Sequence, residues 1–129
     1  RESLQPAHPI AAKFAAIRAE EDAVIVAAGG HKSRFFNWEG KEKLTMGLDF
    51  LKKVNLGQQP KVGKHVVVIG CGNSGMDTVV GAYQMGAESV VAIDVQQPAA
   101  FKKEIRHVEE LGGKLVWPFM TTRITDEGI

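Results

Sequence analysis

The sequence predicts an α/β chain folded as a doubly wound parallel sheet in three layers, a single Rossmann-like domain. Three observations carry that expectation. A buried-strand pattern, His65-Val66-Val67-Val68-Ile69, runs straight into Gly70-Cys71-Gly72-Asn73-Ser74-Gly75, and a helical pattern follows at once. Apolar runs and amphipathic stretches then alternate as βαβαβ from residue 65 to 117. Finally, an acid, Asp94, closes the second strand 19 residues beyond Gly75.

The elements are read in order. Pro9, Ile10, Phe14 and Ile17 suggest a short amphipathic helix over residues 9–20, ended by Asp22. Ala23-Val24-Ile25-Val26-Ala27-Ala28 is a continuous apolar run before Gly29-Gly30, as expected of a strand buried on both faces. Residues 31–44 are polar and irregular, with Phe35, Phe36 and Trp38 read as core-filling rings in preference to the alternative, a ligand platform. A short helix from Thr45 to Val54 carries Lys52 and Lys53 in its last turn and closes near Gly57.

Strand 65–69 leads to a helix over about 73–85 whose Met76, Val79, Val80 and Tyr83 share one face, with Gly86 as its C′ residue. Val90–Ile93 is the next strand, and a right-handed crossover makes it parallel to the first. Phe101, Ile105, Val108 and Leu111 mark the inner stripe of another helix, stopped by Gly112-Gly113. Leu115-Val116-Trp117 is the third strand, limited by Pro118.

The chemistry expected at the glycine loop is capture of a diphosphate. Gly70 permits the tight turn, Gly72 lets the backbone approach the phosphates, and Gly75 brings helix and strand together. Unpaired N–H groups near residues 72–75 and the helix dipole then favour negative charge. The competing reading is a tight turn that binds nothing. Asp94 is placed to accept hydrogen bonds from an adenosine ribose and to repel an added 2′-phosphate, which favours NAD over NADP. No Arg or Lys occurs in Val95-Gln96-Gln97-Pro98 to neutralise such a phosphate. The alternative role for Asp94 is that of a turn or cap residue.

Composition excludes other classes. The 129 residues suffice for one core, and 16 basic against 15 acidic residues give a net charge of +1, so no broad field attracts nucleic acid or an anionic membrane. Cys71, the single cysteine, excludes an internal disulfide and a cysteine-based zinc site, favours a cytoplasmic setting, and suits a small-residue position better than a redox role. His8, His31, His65 and His107 show no metal-ligand spacing, and the Lys-Glu run over 102–110 reads as a solvated helix face. No apolar run is long enough to span a bilayer. Beginning at Arg1 without methionine, the chain reads as a piece of a longer protein, organised as an N-terminal helical segment over 1–21, a strand and linker over 22–58, and a dinucleotide-binding unit over 59–129.

Residues 22–119 resemble the pyridine-nucleotide-binding region of the flavin-dependent oxidoreductases related to the small subunit of glutamate synthase. The segments that carry the resemblance are Asp22–Gly30, Asp49–Gly57 and Val67–Asp77. It implies that NAD(P)H passes a hydride to a bound FAD and that electrons move on to an iron–sulfur or amidotransferase partner. The cofactor-binding positions it supports are Gly70, Cys71, Gly72, Asn73, Ser74, Gly75, Asp77 and Asp94, with Asp77 near the nicotinamide end or, alternatively, a first-turn acid that favours the helix dipole. No catalytic residue and no metal ligand is expected.

Three departures qualify the resemblance. Ala28 replaces the family's threonine, Val95 and Gln96 stand where paired arginines are usual, and the upstream FAD-binding glycine fingerprint is absent. FAD is therefore expected in the parent protein and not in this piece, which binds a nucleotide without turning it over. Two further alternatives are a non-catalytic dinucleotide module and an S-adenosylmethionine-dependent methyltransferase fragment. The latter is disfavoured because Val68 and Ile69 precede Gly70 where that family places an acid.

Overall fold

The computed structural model describes residues 18–25, 37–126 and 128. The chain divides into two compact units, residues 1–30 and 31–129. In the first, residues 18–20 are helical, as expected of the end of the 9–20 helix. Residues 23–25 form no strand, and Ile25 is 90% exposed. The rest of the strand expected over 23–28, like Phe35 and Phe36, lies outside the described residues.

In the second unit, a 3-10 turn at Lys41–Lys43 precedes helix α1, Gly47–Asn55. Strand β1, His65–Ile69, is followed by helix α2, Asn73–Gln84, strand β2, Ser89–Ile93, helix α3, Lys102–Glu110, and strand β3, Lys114–Val116. The strands pair in parallel in the order β1-β2-β3, with Ile69 beside Ile93 and Ile93 beside Val116. The α/β, Rossmann-like class expected from the βαβαβ pattern is the one observed.

Alternation along each strand sorts the side chains by face. Val68, Val90 and Ala92 enter one core with Met76, Val79 and Ala82 of α2 and Val108 of α3, and Val66 and Leu115 border it. Both crossover helices therefore cover the same face of the sheet. Val67, Ile69, Val91 and Ile93 point to the other face, where Val67 is 45% exposed. Helix α1 packs on α2, with the Phe50 ring against Gly81.

The helix ends follow the turn chemistry. At α2, the Gly86 N–H donates to Tyr83 O and the Ala87 N–H to Ala82 O, a Schellman motif that needs a left-handed residue, and Gly86 has φ +97°. Gly57 and Gly112 close α1 and α3 in the same way.

Two stripe residues correct the sequence reading. Val108 is fully buried and Ile105 is packed on the core, but Phe101 is 64% and Leu111 41% exposed. Phe101 is the N-cap of α3, where the backbone is extended, and Leu111 is its C-cap, so both stand at the ends of the helix and not within its body. Trp117, read as the end of a strand, follows β3 and is half exposed.

Candidate functional site

The site lies at the carboxyl ends of the parallel strands, where β1 turns into α2. The Gly70 N–H donates to Ile93 O at 2.8 Å, extending the β1–β2 ladder by one bond before the chain turns. Gly70 then adopts φ +114°, a conformation that side chains oppose. A Cβ placed on Gly75 would stand 2.0 Å from Gly70 O, so the third glycine of the loop is required by the backbone itself. Around Gly72 a Cβ would meet nothing within 4 Å, so the space there is open.

Gly72 is the N-cap of α2 and no side chain caps it. The N–H groups of the first helical turn therefore lack intrahelical acceptors, and no acidic side chain in that turn offsets the positive end of the dipole. The arrangement suits a bound anion. Ser74 is exposed, and its carbonyl accepts the Thr78 hydroxyl at 2.7 Å. Asp77 is exposed but falls in the second turn of α2, which corrects its reading as a first-turn acid.

Asp94 follows β2 directly. Its Oδ2 accepts the Cys71 N–H at 2.7 Å and its Oδ1 accepts the Gln96 N–H at 3.2 Å. Its backbone joins the end of β2 to β3 and to the segment after it, donating to Val116 O at 3.1 Å and accepting from the Phe119 N–H at 2.8 Å. Of the two roles expected for Asp94, ribose acceptor or loop cap, the hydrogen bonds show the second: the carboxylate holds loop backbone.

Asn73 has a comparable commitment. Its Oδ1 accepts the Phe101 N–H at 2.9 Å, at the N-cap of α3, and the Ala100 N–H donates to Cys71 O at 3.2 Å. These bonds fasten the β2–α3 segment to the glycine loop. Sequence spacing gives no signal for either one, since the partners are 28 and 29 residues apart.

The Cys71 side chain is completely buried, and burial together with the Asp94 carboxylate pushes its thiol up to about 11. It is protonated at neutral pH and is not a nucleophile there. His65 sits at a strand start with its Nδ1 2.8 Å from Ser89 Oγ, and His107 is exposed, while His8 and His31 lie outside the described residues. No cluster that could hold a metal ion occurs among the described residues, and no helix there is long and apolar enough to cross a membrane.

Two surface cavities of about 360 and 330 Å³ lie elsewhere, around Gln59, Pro60 and Lys61 and reaching Gln84 and Met85 at the far end of α2. Neither includes a glycine-loop residue. Val95, Phe119 and Met120, which follow β2 and β3, are exposed.

A parallel sheet with an uncapped, glycine-lined helix start at its carboxyl edge defines a Rossmann-like nucleotide-binding fold. A family model described as pyridine nucleotide-disulphide oxidoreductase matches residues 12–126. The chain belongs to that family, in its glutamate synthase small-subunit-like group.

It is 32% identical over 111 residues to the NADPH-Fe(3+) oxidoreductase subunit beta of Geobacter sulfurreducens, covering 80% of this chain and 16% of that protein. It is 33% identical over 118 residues to the glutamate synthase [NADPH] small chain of Azospirillum brasilense, covering 78% of this chain and 24% of that protein. The chain thus spans about a sixth to a quarter of the length of these relatives. A solved 2-naphthoyl-CoA reductase in complex with 2-naphthoyl-CoA shares the fold, with a TM-score of 0.62 at 20% identity over 77% of this chain and 16% of that one.

Proposed function

We propose that this chain is the nucleotide-binding part of a flavin-dependent oxidoreductase, and that it positions NADH for hydride transfer to FAD. The observation that carries the reading is the Gly75–Gly70 approach at the uncapped start of α2. That approach excludes a side chain at residue 75, and the first-turn N–H groups are left without a side-chain cap, as an anion site requires. In this role Gly70, Gly72 and Gly75 shape the cradle, the N–H groups of Gly72, Asn73, Ser74 and Gly75 face the diphosphate, Cys71 anchors the loop, and Asp94 reads the ribose. Asp77, one turn further along α2, stands toward the nicotinamide end.

The preference for NADH rests on charge. The relatives bear NADPH in their names, but here an acid closes β2 and no Lys or Arg occurs between Asp94 and Lys102. A 2′-phosphate would meet a carboxylate with no cation to offset it. A bound nicotinamide dinucleotide supplies the hydride, and the residues described here bind and orient it. FAD, a final acceptor and an iron–sulfur or amidotransferase partner belong to the parent protein in this proposal, as does a cytoplasmic setting.

The test is made on the full polypeptide that carries this sequence. Flavin absorbance that bleaches on addition of NADH is the expected result. A polypeptide that binds NADH but shows neither flavin absorbance nor NADH oxidation favours a non-catalytic module.

A further inference from the structure

The glycine loop has little of its own to hold its shape. Gly70 and Gly72 add no side-chain restraints, and glycine backbone carries the largest conformational freedom of any residue. Cys71, between them, is where the restraints converge. Its side chain is fully buried, its carbonyl accepts the Ala100 N–H, and its N–H donates to the Asp94 carboxylate at 2.7 Å. A bond from N–H to an ionised oxygen at that distance is of the stronger, charge-assisted kind. The other Asp94 oxygen holds the Gln96 N–H, so one side chain fixes both the loop and the start of the β2–α3 segment.

From this geometry we infer that Asp94 is a positioning residue for the diphosphate cradle, and not solely a reader of ribose. Two accepted bonds leave further lone pairs on its carboxylate, so the two roles are compatible. The inference rests on the nucleotide-binding reading above and makes a claim that reading does not. Loss of Asp94 weakens every ligand bound through its diphosphate, whether or not the ligand has an adenosine 2′-hydroxyl to offer.

The experiment compares wild type, Asp94→Ala and Asp94→Asn in the full polypeptide. Each is titrated calorimetrically with NADH and with its 2′-deoxyadenosine analogue, and amide exchange at Cys71 is followed without ligand. Asp94→Ala is expected to weaken both ligands, the deoxy analogue by roughly tenfold or more, the size expected for a lost bond to a charged acceptor. Cys71 exchange is expected to accelerate while Val79 and Val90 in the core keep theirs, which separates a loosened loop from a loosened fold. Asp94→Asn, with one acceptor oxygen left, is expected to fall between.

Unchanged affinity for the deoxy analogue, with only NADH weakened, overturns the inference and leaves the nucleotide-binding reading intact. If wild type binds neither ligand, the nucleotide-binding reading falls. Cys71 exchange in the ligand-free protein then decides the positioning role alone, and an unchanged rate in Asp94→Ala refutes it.

Discussion

A side-chain carbon on Gly75 would stand 2.0 Å from the carbonyl oxygen of Gly70, well inside any permitted contact. The helix that would receive a diphosphate therefore approaches its strand only because residue 75 lacks a side chain. Gly75→Ala forces the turn apart. The expected cost is about 1–3 kcal/mol of stability, as for overpacking elsewhere, with loss of NADH binding. Urea denaturation and NADH titration of the variant check both.

Cofactor choice is expected to respond to charge beside Asp94. Val95→Arg and Gln96→Arg together place cations where a 2′-phosphate would lie, and the ratio of NADPH to NADH affinity is expected to rise roughly tenfold or more, the scale of a gained charge-assisted contact. Competitive titration with the two nucleotides measures it. No change in the ratio means that the segment after β2 does not face the adenosine ribose.

Cys71 gives a pH signature. Burial, and then the Asp94 carboxylate, raise its thiol from 9.0 to about 11 in the folded chain. Between those values the unfolded chain has lost the proton and the folded chain keeps it, so stability falls as pH rises through this window. The contribution is full below pH 9. Denaturation curves of wild type and Cys71→Ala from pH 8 to 11 are expected to differ by this slope, and a thiol reagent at pH 7 is expected to react only on unfolding.

Met76 tests the core beneath the loop. It is 1% exposed between the sheet and α2. Met76→Ala is expected to cost about 2–5 kcal/mol, the range for truncating a large buried side chain. Thermal unfolding checks it.

The parts of the fold that were legible in the sequence are those where one local rule decides. Strand β1 is a Val-rich run, α2 is a single apolar face ended by Gly86, and the three glycines of the loop sit where turn, approach and packing need them. Phe101 and Leu111 were misread because they extend the periodicity of α3 past its ends, where cap geometry takes over. Of the strand expected over 23–28 only residues 23–25 are described, and these form no strand. In the site, the presence of Asp94 was legible and its hydrogen-bond partner was not. The Cys71 N–H reaches it across 23 residues, through the closure of β1 beside β2.

Calorimetric titration with NADH and NADPH decides whether the glycine loop holds a nicotinamide dinucleotide and prefers the one without a 2′-phosphate. Saturable 1:1 binding of NADH and weaker binding of NADPH are expected. Binding of neither contradicts the assignment of the loop, and tighter binding of NADPH contradicts the role given to Asp94.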